Sequence, residues 1–235
     1  MSKNHFKNKV QCKNGDFIMK VIGDIHLVDN TFANVYLIVR KDKIIAIDAG
    51  LPEEYEKVLE YIDSLRRFPE EVETIIVTHA HYDHVGSLKA LKDATGANVA
   101  AHEEEIPYLI GEKTFRRMIN PVEVEISLKD GDEIHGLKVI HSPGHTPGSI
   151  CLLDLETKAL FVGDLVMEEN GKLEEIPHQY SLDPMKNREA IRKLLDVDFV
   201  HLLPSHGKPI LNEGKEKVRE LVERLQLVNR SSVKF

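Results

Sequence analysis

The chain has 235 residues, 42% of them hydrophobic, enough to bury a sizeable core within one or two domains. A formal net charge of -8 repels polyphosphate and so argues against sequence-independent nucleic-acid binding. Two cysteines, Cys12 and Cys151, are too few for a disulfide framework, and with neither a bilayer-length apolar run nor a secretory signal the expected setting is the cytoplasm, without a membrane partner.

Residues 1–18, rich in Lys and Asn and without apolar periodicity, predict a flexible leader, and residues 19–235 a single domain. Short β-type runs follow at 20–25, 34–39 and 43–47, the last delivering Asp48-Ala49-Gly50. Pro52 opens a helical pattern to Phe68, with Tyr55, Val58, Leu59, Ile62 and Leu65 on one face. A strand at 74–78, a helix at 86–94 closed by Gly96 and a strand at 98–101 come next. Residues 103–118 read as a helical, partly amphipathic excursion, with Glu103, Glu104 and Glu105 beside His102 as its charged, solvated start. Strands are expected at 122–128, 137–141, 149–154 and 159–162, then a polar, irregular lid at 168–182. Asp183 caps a helix that has Pro184 at its first position and runs to Leu195. A last strand at 199–203 and an amphipathic helix at 213–228 complete an α/β pattern. Within it, residues 43–48 resemble 158–164, each a strand ending in aspartate, and residues 74–81 resemble 200–206, each a strand ending in histidine.

The chemistry concentrates in Thr78-His79-Ala80-His81-Tyr82-Asp83-His84-Val85-Gly86, between a strand and a helix. Histidines at i and i+2 of extended backbone project to one side, so His79 and His81 can grip one ion through imidazole nitrogens. Asp83 and His84 fall where period two gives way to helix and aim at a second position nearby. Desolvating four such polar groups without an ion would be costly. Three further donors stand at predicted strand ends or tight turns: His145 in Ser142-Pro143-Gly144-His145-Thr146-Pro147-Gly148, Asp164 after Phe161-Val162-Gly163, and His206 after Pro204-Ser205. The two oxygens of Asp164 suit it to share two ions.

The pattern His-x-His-x-Asp-His followed by His, Asp and His at strand ends resembles the metallo-β-lactamase fold superfamily over roughly residues 19–228. The resemblance implies an αββα sandwich of two mixed sheets flanked by helices, with a metal site at one sheet edge. It assigns His79, His81 and His145 to the first metal and Asp83, His84 and His206 to the second, with Asp164 bridging. Asp48 matches the aspartate that fixes a ligand histidine through its other ring nitrogen. The implied cofactor is a pair of divalent ions, zinc in preference, with iron or manganese as alternatives.

Such a site would generate a metal-bound hydroxide, with Asp83 orienting it or moving its proton, to cleave a small ester, thioester, lactone or phosphodiester. The resemblance extends to glyoxalase II-like and lactonase-like hydrolases, especially through residues 78–86 and 142–148. Lactonases of that group often carry a tyrosine shortly after the bridging aspartate, whereas Leu165-Val166-Met167 follow Asp164 here. Enzymes that hydrolyse β-lactams generally lack an equivalent of Asp164. Tyr180 and His178, on the expected lid, are candidates for substrate contact. One alternative is an oxygenase resembling persulfide dioxygenases, with a single iron on His79, His145 and Asp164. Others are a compact nucleic-acid phosphodiesterase and a silent binding module. The expected partner is a small-molecule substrate, with self-association left open.

Overall fold

The computed structural model describes the backbone of residues 9–11 and 17–231 and the side chains of residues 19–227. Cys12 and residues 1–8 and 12–16 of the expected leader lie outside the described residues. The chain divides into two compact units, Met1–Ala101 with Ile106–Ser127, and His102–Glu105 with Leu128–Phe235.

The first unit is built on an eight-stranded mixed sheet whose spatial order follows the chain. Its strands are β1 (Lys9–Gln11), β2 (Phe17–Ile22), β3 (Ile25–Leu27), β4 (Tyr36–Val39), β5 (Ile44–Ile47), β6 (Val72–Val77), β7 (Asn98–His102) and β8 (Ile126–Leu128). Thus β1 and the start of β2 fall within the stretch expected as leader. Pairing is antiparallel from β1 to β5 and parallel across β5, β6 and β7. The helices are α1 (Glu54–Ser64), α2 (Tyr82–Val85), α3 (Leu88–Thr95) and the single turn α4 (Ile106–Leu109). All four residues of β5 are buried, as a central strand covered on both faces requires. Its alternate residues Ile44 and Ala46 share a core with Ile75 and Val77 of β6, Val99 of β7, Val58 and Ile62 of α1, and Leu88 and Leu91 of α3.

The helix expected to reach Phe68 stops at Ser64, because Arg66 turns left-handed (φ 58). The helical excursion expected over 103–118 is corrected to the one turn of α4. Gly111 ends it with φ 84, and residues 112–125 form no regular element.

The second unit carries a five-stranded mixed sheet in the order β15-β12-β11-β10-β9. These are β9 (Glu133–Ile134), β10 (Leu137–His141), β11 (Ile150–Asp154), β12 (Ala159–Phe161) and, after an interruption, β15 (His201–Leu203). The interruption is a separate hairpin of β13 (Val166–Glu169) and β14 (Lys172–Glu175), then helix α5 (Pro184–Lys193); α6 (Gly214–Ser231) closes the chain. The hairpin replaces much of the irregular lid expected at 168–182. Glu169 pairs with Lys172 across Asn170-Gly171, whose positive φ values of 52 and 82 are those a type I′ turn demands.

The weak internal repeat has a topological counterpart. In the first unit the antiparallel run β3-β4-β5 is followed, after α1, by β6 laid parallel to β5; in the second, β10-β11-β12 is followed, after α5, by β15 laid parallel to β12. Each parallel pair therefore sets the aspartate that follows one strand beside the histidine that follows the other. Among the described residues no helix is long and apolar enough to cross a membrane.

Candidate metal centre

In the first unit β6 runs into Thr78 and His79, and His81 keeps an extended backbone (φ -76, ψ 151) before α2 begins. The His79 and His81 rings lie 4.8 Å apart between centroids, and His79 and His84 4.0 Å apart. Gly86 lets the motif close, since a Cβ there would run into Pro52 and the Tyr82 carbonyl.

Asp48, only 1% exposed, ties this turn together. Its Oδ1 accepts the Thr78 backbone N–H at 2.7 Å, and its Oδ2 accepts the Thr78 hydroxyl at 2.7 Å and lies 2.8 Å from His84 Nδ1. A carboxylate there can only accept, so His84 Nδ1 carries the proton and Nε2 keeps its lone pair for an electrophile. His84 Nε2 in turn lies 3.9 Å from an Asp83 oxygen.

In the second unit His145 is held by its backbone and its neighbours. Gly144 adopts φ 140 against α5, where a Cβ would overlap the Asn187 backbone. The His145 carbonyl accepts Leu182 N–H at 3.1 Å, and its Nδ1 lies 3.4 Å from the Ser181 hydroxyl. At the far end of the loop, Gly148 N–H donates to Glu105 Oε1 at 2.7 Å. Glu105 is fully buried, which corrects the reading of residues 103–105 as a uniformly solvated helix start.

Asp164 stands between two histidines of its own unit. Its Oδ2 lies 3.4 Å from His145 Nε2 and its Oδ1 3.4 Å from His206 Nε2. These separations exceed ordinary hydrogen bonds to imidazole. They match instead the donor–donor edge about a tetrahedral ion, roughly 3.4 Å for bonds of about 2.0–2.1 Å. The first unit thus gathers His79, His81, Asp83 and His84 in one turn, and the second gathers His145, Asp164 and His206, each a group of side chains able to hold a metal ion. Imidazoles plus carboxylates at such spacing suit zinc, iron or manganese.

Other candidates are placed differently. His178 is exposed and pairs with Glu175 at 3.1 Å, itself clamped by Arg188; Tyr180 is 54% exposed on the same short turn. His26 sits against the Tyr61 hydroxyl, where burial lowers its pKa to about 4. His102 is buried and stacked on His141, and burial, with the neighbouring imidazole, lowers its pKa. Cys151 is core, its thiol pushed up to about 12 by burial and hence inert at neutral pH. Sequence reasoning missed Glu105 and Ser181, because each reaches its loop across some forty residues of chain.

A family model described as the metallo-beta-lactamase superfamily matches residues 28–206. The beta-lactamase-like protein 2 homolog of Caenorhabditis elegans is 30% identical over 209 residues, covering 86% of this chain but 64% of that protein, so this chain spans less than two thirds of its length. A Homo sapiens acyl-coenzyme A thioesterase is 27% identical over 208 residues, covering 74% of this chain and 72% of its own. Among solved structures, a class B3 di-zinc metallo-beta-lactamase from an Alaskan soil metagenome matches with a TM-score of 0.71 at 21% identity, covering 91% of this chain and 92% of that one. At that identity the likeness is one of fold.

Proposed function

The chain belongs to the metallo-β-lactamase superfamily, and from that premise we propose that it is a metal-dependent hydrolase of small thioesters. In this reading His79, His81 and His145 would hold one ion and Asp83, His84 and His206 a second, with the two oxygens of Asp164 available to both. The observation that carries it is the placement of each Asp164 oxygen at a coordination-edge distance from a different histidine. Bound there, divalent ions would bring the pKa of water towards neutrality and polarise the acyl oxygen.

The remaining work falls to the side chains. Asp48 and Ser181 fix two of the imidazoles by their Nδ1 atoms. Hydrolysis breaks the C–S bond, puts the oxygen of water on the acyl carbon and returns a proton to the departing sulfur. Asp83, whose side chain is 26% exposed, is the residue assigned to hold and deliver that proton. The thioester is chosen over a lactone because Leu165 and Val166, both buried, stand where lactonases carry a tyrosine. The thioesterase named among the relatives points the same way.

Metal-replete protein is expected to hydrolyse acyl-coenzyme A, and Asp83→Ala and His79→Ala to lose about 100-fold or more in kcat/KM. Turnover retained in both variants rejects the reading, and so does one iron per chain with oxygen consumption, the mark of the dioxygenase alternative.

A further inference from the structure

The segment between α4 and β8 forms no regular element, yet it is fixed to the metal-binding turn of its own unit by aromatic contacts. Phe115 packs edge-on to His81, with ring centroids 4.8 Å apart, and stacks face to face on Tyr108 at 3.9 Å and 2°. Lys113 lies over the Tyr108 ring at 5.7 Å, and Arg117 over the ring of Tyr82, inside the histidine motif, at 5.2 Å. Residues 106–122 carry three cations, Lys113, Arg116 and Arg117, and one acid, Glu112, in a chain of net charge -8. Lys113 and Arg117 are both exposed, and among the described residues neither has a carboxylate partner.

A flexible cation on a soluble surface is ordinarily solvated and indifferent to place. Both instead lie over ring faces, Arg117 on Tyr82, which stands between His81 and Asp83, and Lys113 on Tyr108, which reaches His81 through Phe115, against the sign of the whole protein's field. We propose that Lys113 and Arg117 form an anion-recognition site for the phosphates of the substrate's leaving group, which selects thioesters of a phosphorylated carrier over uncharged ones. The proposal rests on the thioesterase reading and specifies its substrate class. A guanidinium fits phosphate bidentately and an ammonium serves as a point charge, so the pair can grip a bisphosphate without touching the acyl chain.

The test separates binding from turnover. Adenosine 3′,5′-bisphosphate, which has phosphates of coenzyme A and no sulfur, is titrated calorimetrically into metal-loaded protein. Wild type should bind it, the Lys113→Ala/Arg117→Ala double variant at least about 10-fold more weakly, and Arg117→Lys at an intermediate affinity. Both residues being exposed, melting temperatures should stay within about 2 °C, which keeps a folding defect from mimicking the result. The specificity ratio, kcat/KM for acyl-coenzyme A over that for the matching acyl-N-acetylcysteamine, should fall by a similar factor. Equal affinity in wild type and double variant, or no saturable binding by wild type, overturns the proposal. If wild type leaves acyl-coenzyme A intact yet binds the bisphosphate through Lys113 and Arg117, the thioesterase reading falls and the anion site stands. If hydrolysis proceeds while the double variant binds like wild type, the reverse holds.

Discussion

Asp48 shows how much a single buried carboxylate can organise. It adopts φ 62, costly for a residue with a Cβ, and spends its acceptors on the Thr78 amide, the Thr78 hydroxyl and His84 Nδ1. Truncation would leave those donors buried without acceptors and free the His84 ring to take the wrong tautomer. Asp48→Ala should therefore weaken zinc affinity by about 10- to 100-fold, with Asp48→Asn falling less, as read by competition with a chromogenic chelator. An unchanged affinity would mean that His84 needs no orienting partner. Much at this scale is legible in sequence: alternation along a strand sets His79 beside His81, and the strand-to-helix change puts Asp83 and His84 in the following turn. Glu105 is the contrary case. Three successive glutamates look alike in composition, and only a contact with Gly148, forty-three residues away, buries one of them.

At the scale of elements, the loop that carries His145 depends on α5. Asp183 Oδ1 accepts Lys186 N–H at 3.0 Å, Pro184 opens the helix, and the Asp183 amide itself donates to the Gly144 carbonyl at 2.8 Å. Asp183→Ala removes only the side-chain cap, so it should cost about 1 kcal/mol of unfolding free energy in urea. A loss of less than a few tenths would show that the backbone contacts alone hold the helix start. Asp183-Pro184 was readable because cap chemistry is local. The β13–β14 hairpin was missed: Asn170-Gly171 is a local turn signal, but polar composition over residues 168–182 masked the alternation of its short strands. For residues 103–118 periodicity misleads: helical spacing is present, yet Gly111 breaks the backbone and aromatic contacts with Tyr82 and His81 shape the rest.

Over the whole molecule, two units repeat one strategy, in which a parallel strand pair sets an aspartate after one strand and a histidine after its neighbour. Asp48 in the first unit orients a ligand candidate; Asp164 in the second lies between two of them. The same topological device thus yields a carboxylate that holds His84 Nδ1 in one half and one that lies between His145 and His206 in the other. Strand spacing and helical periodicity carry the α/β class, because both follow from burial patterns a few residues long, whereas the two mixed sheets were implied by the family resemblance. That Asp164 comes to lie between His145 and His206, residues far from each other along the chain, is a property of the tertiary fold. The most direct test is the metal-to-protein ratio of zinc-loaded, gel-filtered wild-type protein by elemental analysis. Two ions per chain is the predicted result; a ratio of one or below would contradict a centre in which Asp164 is shared between two metals.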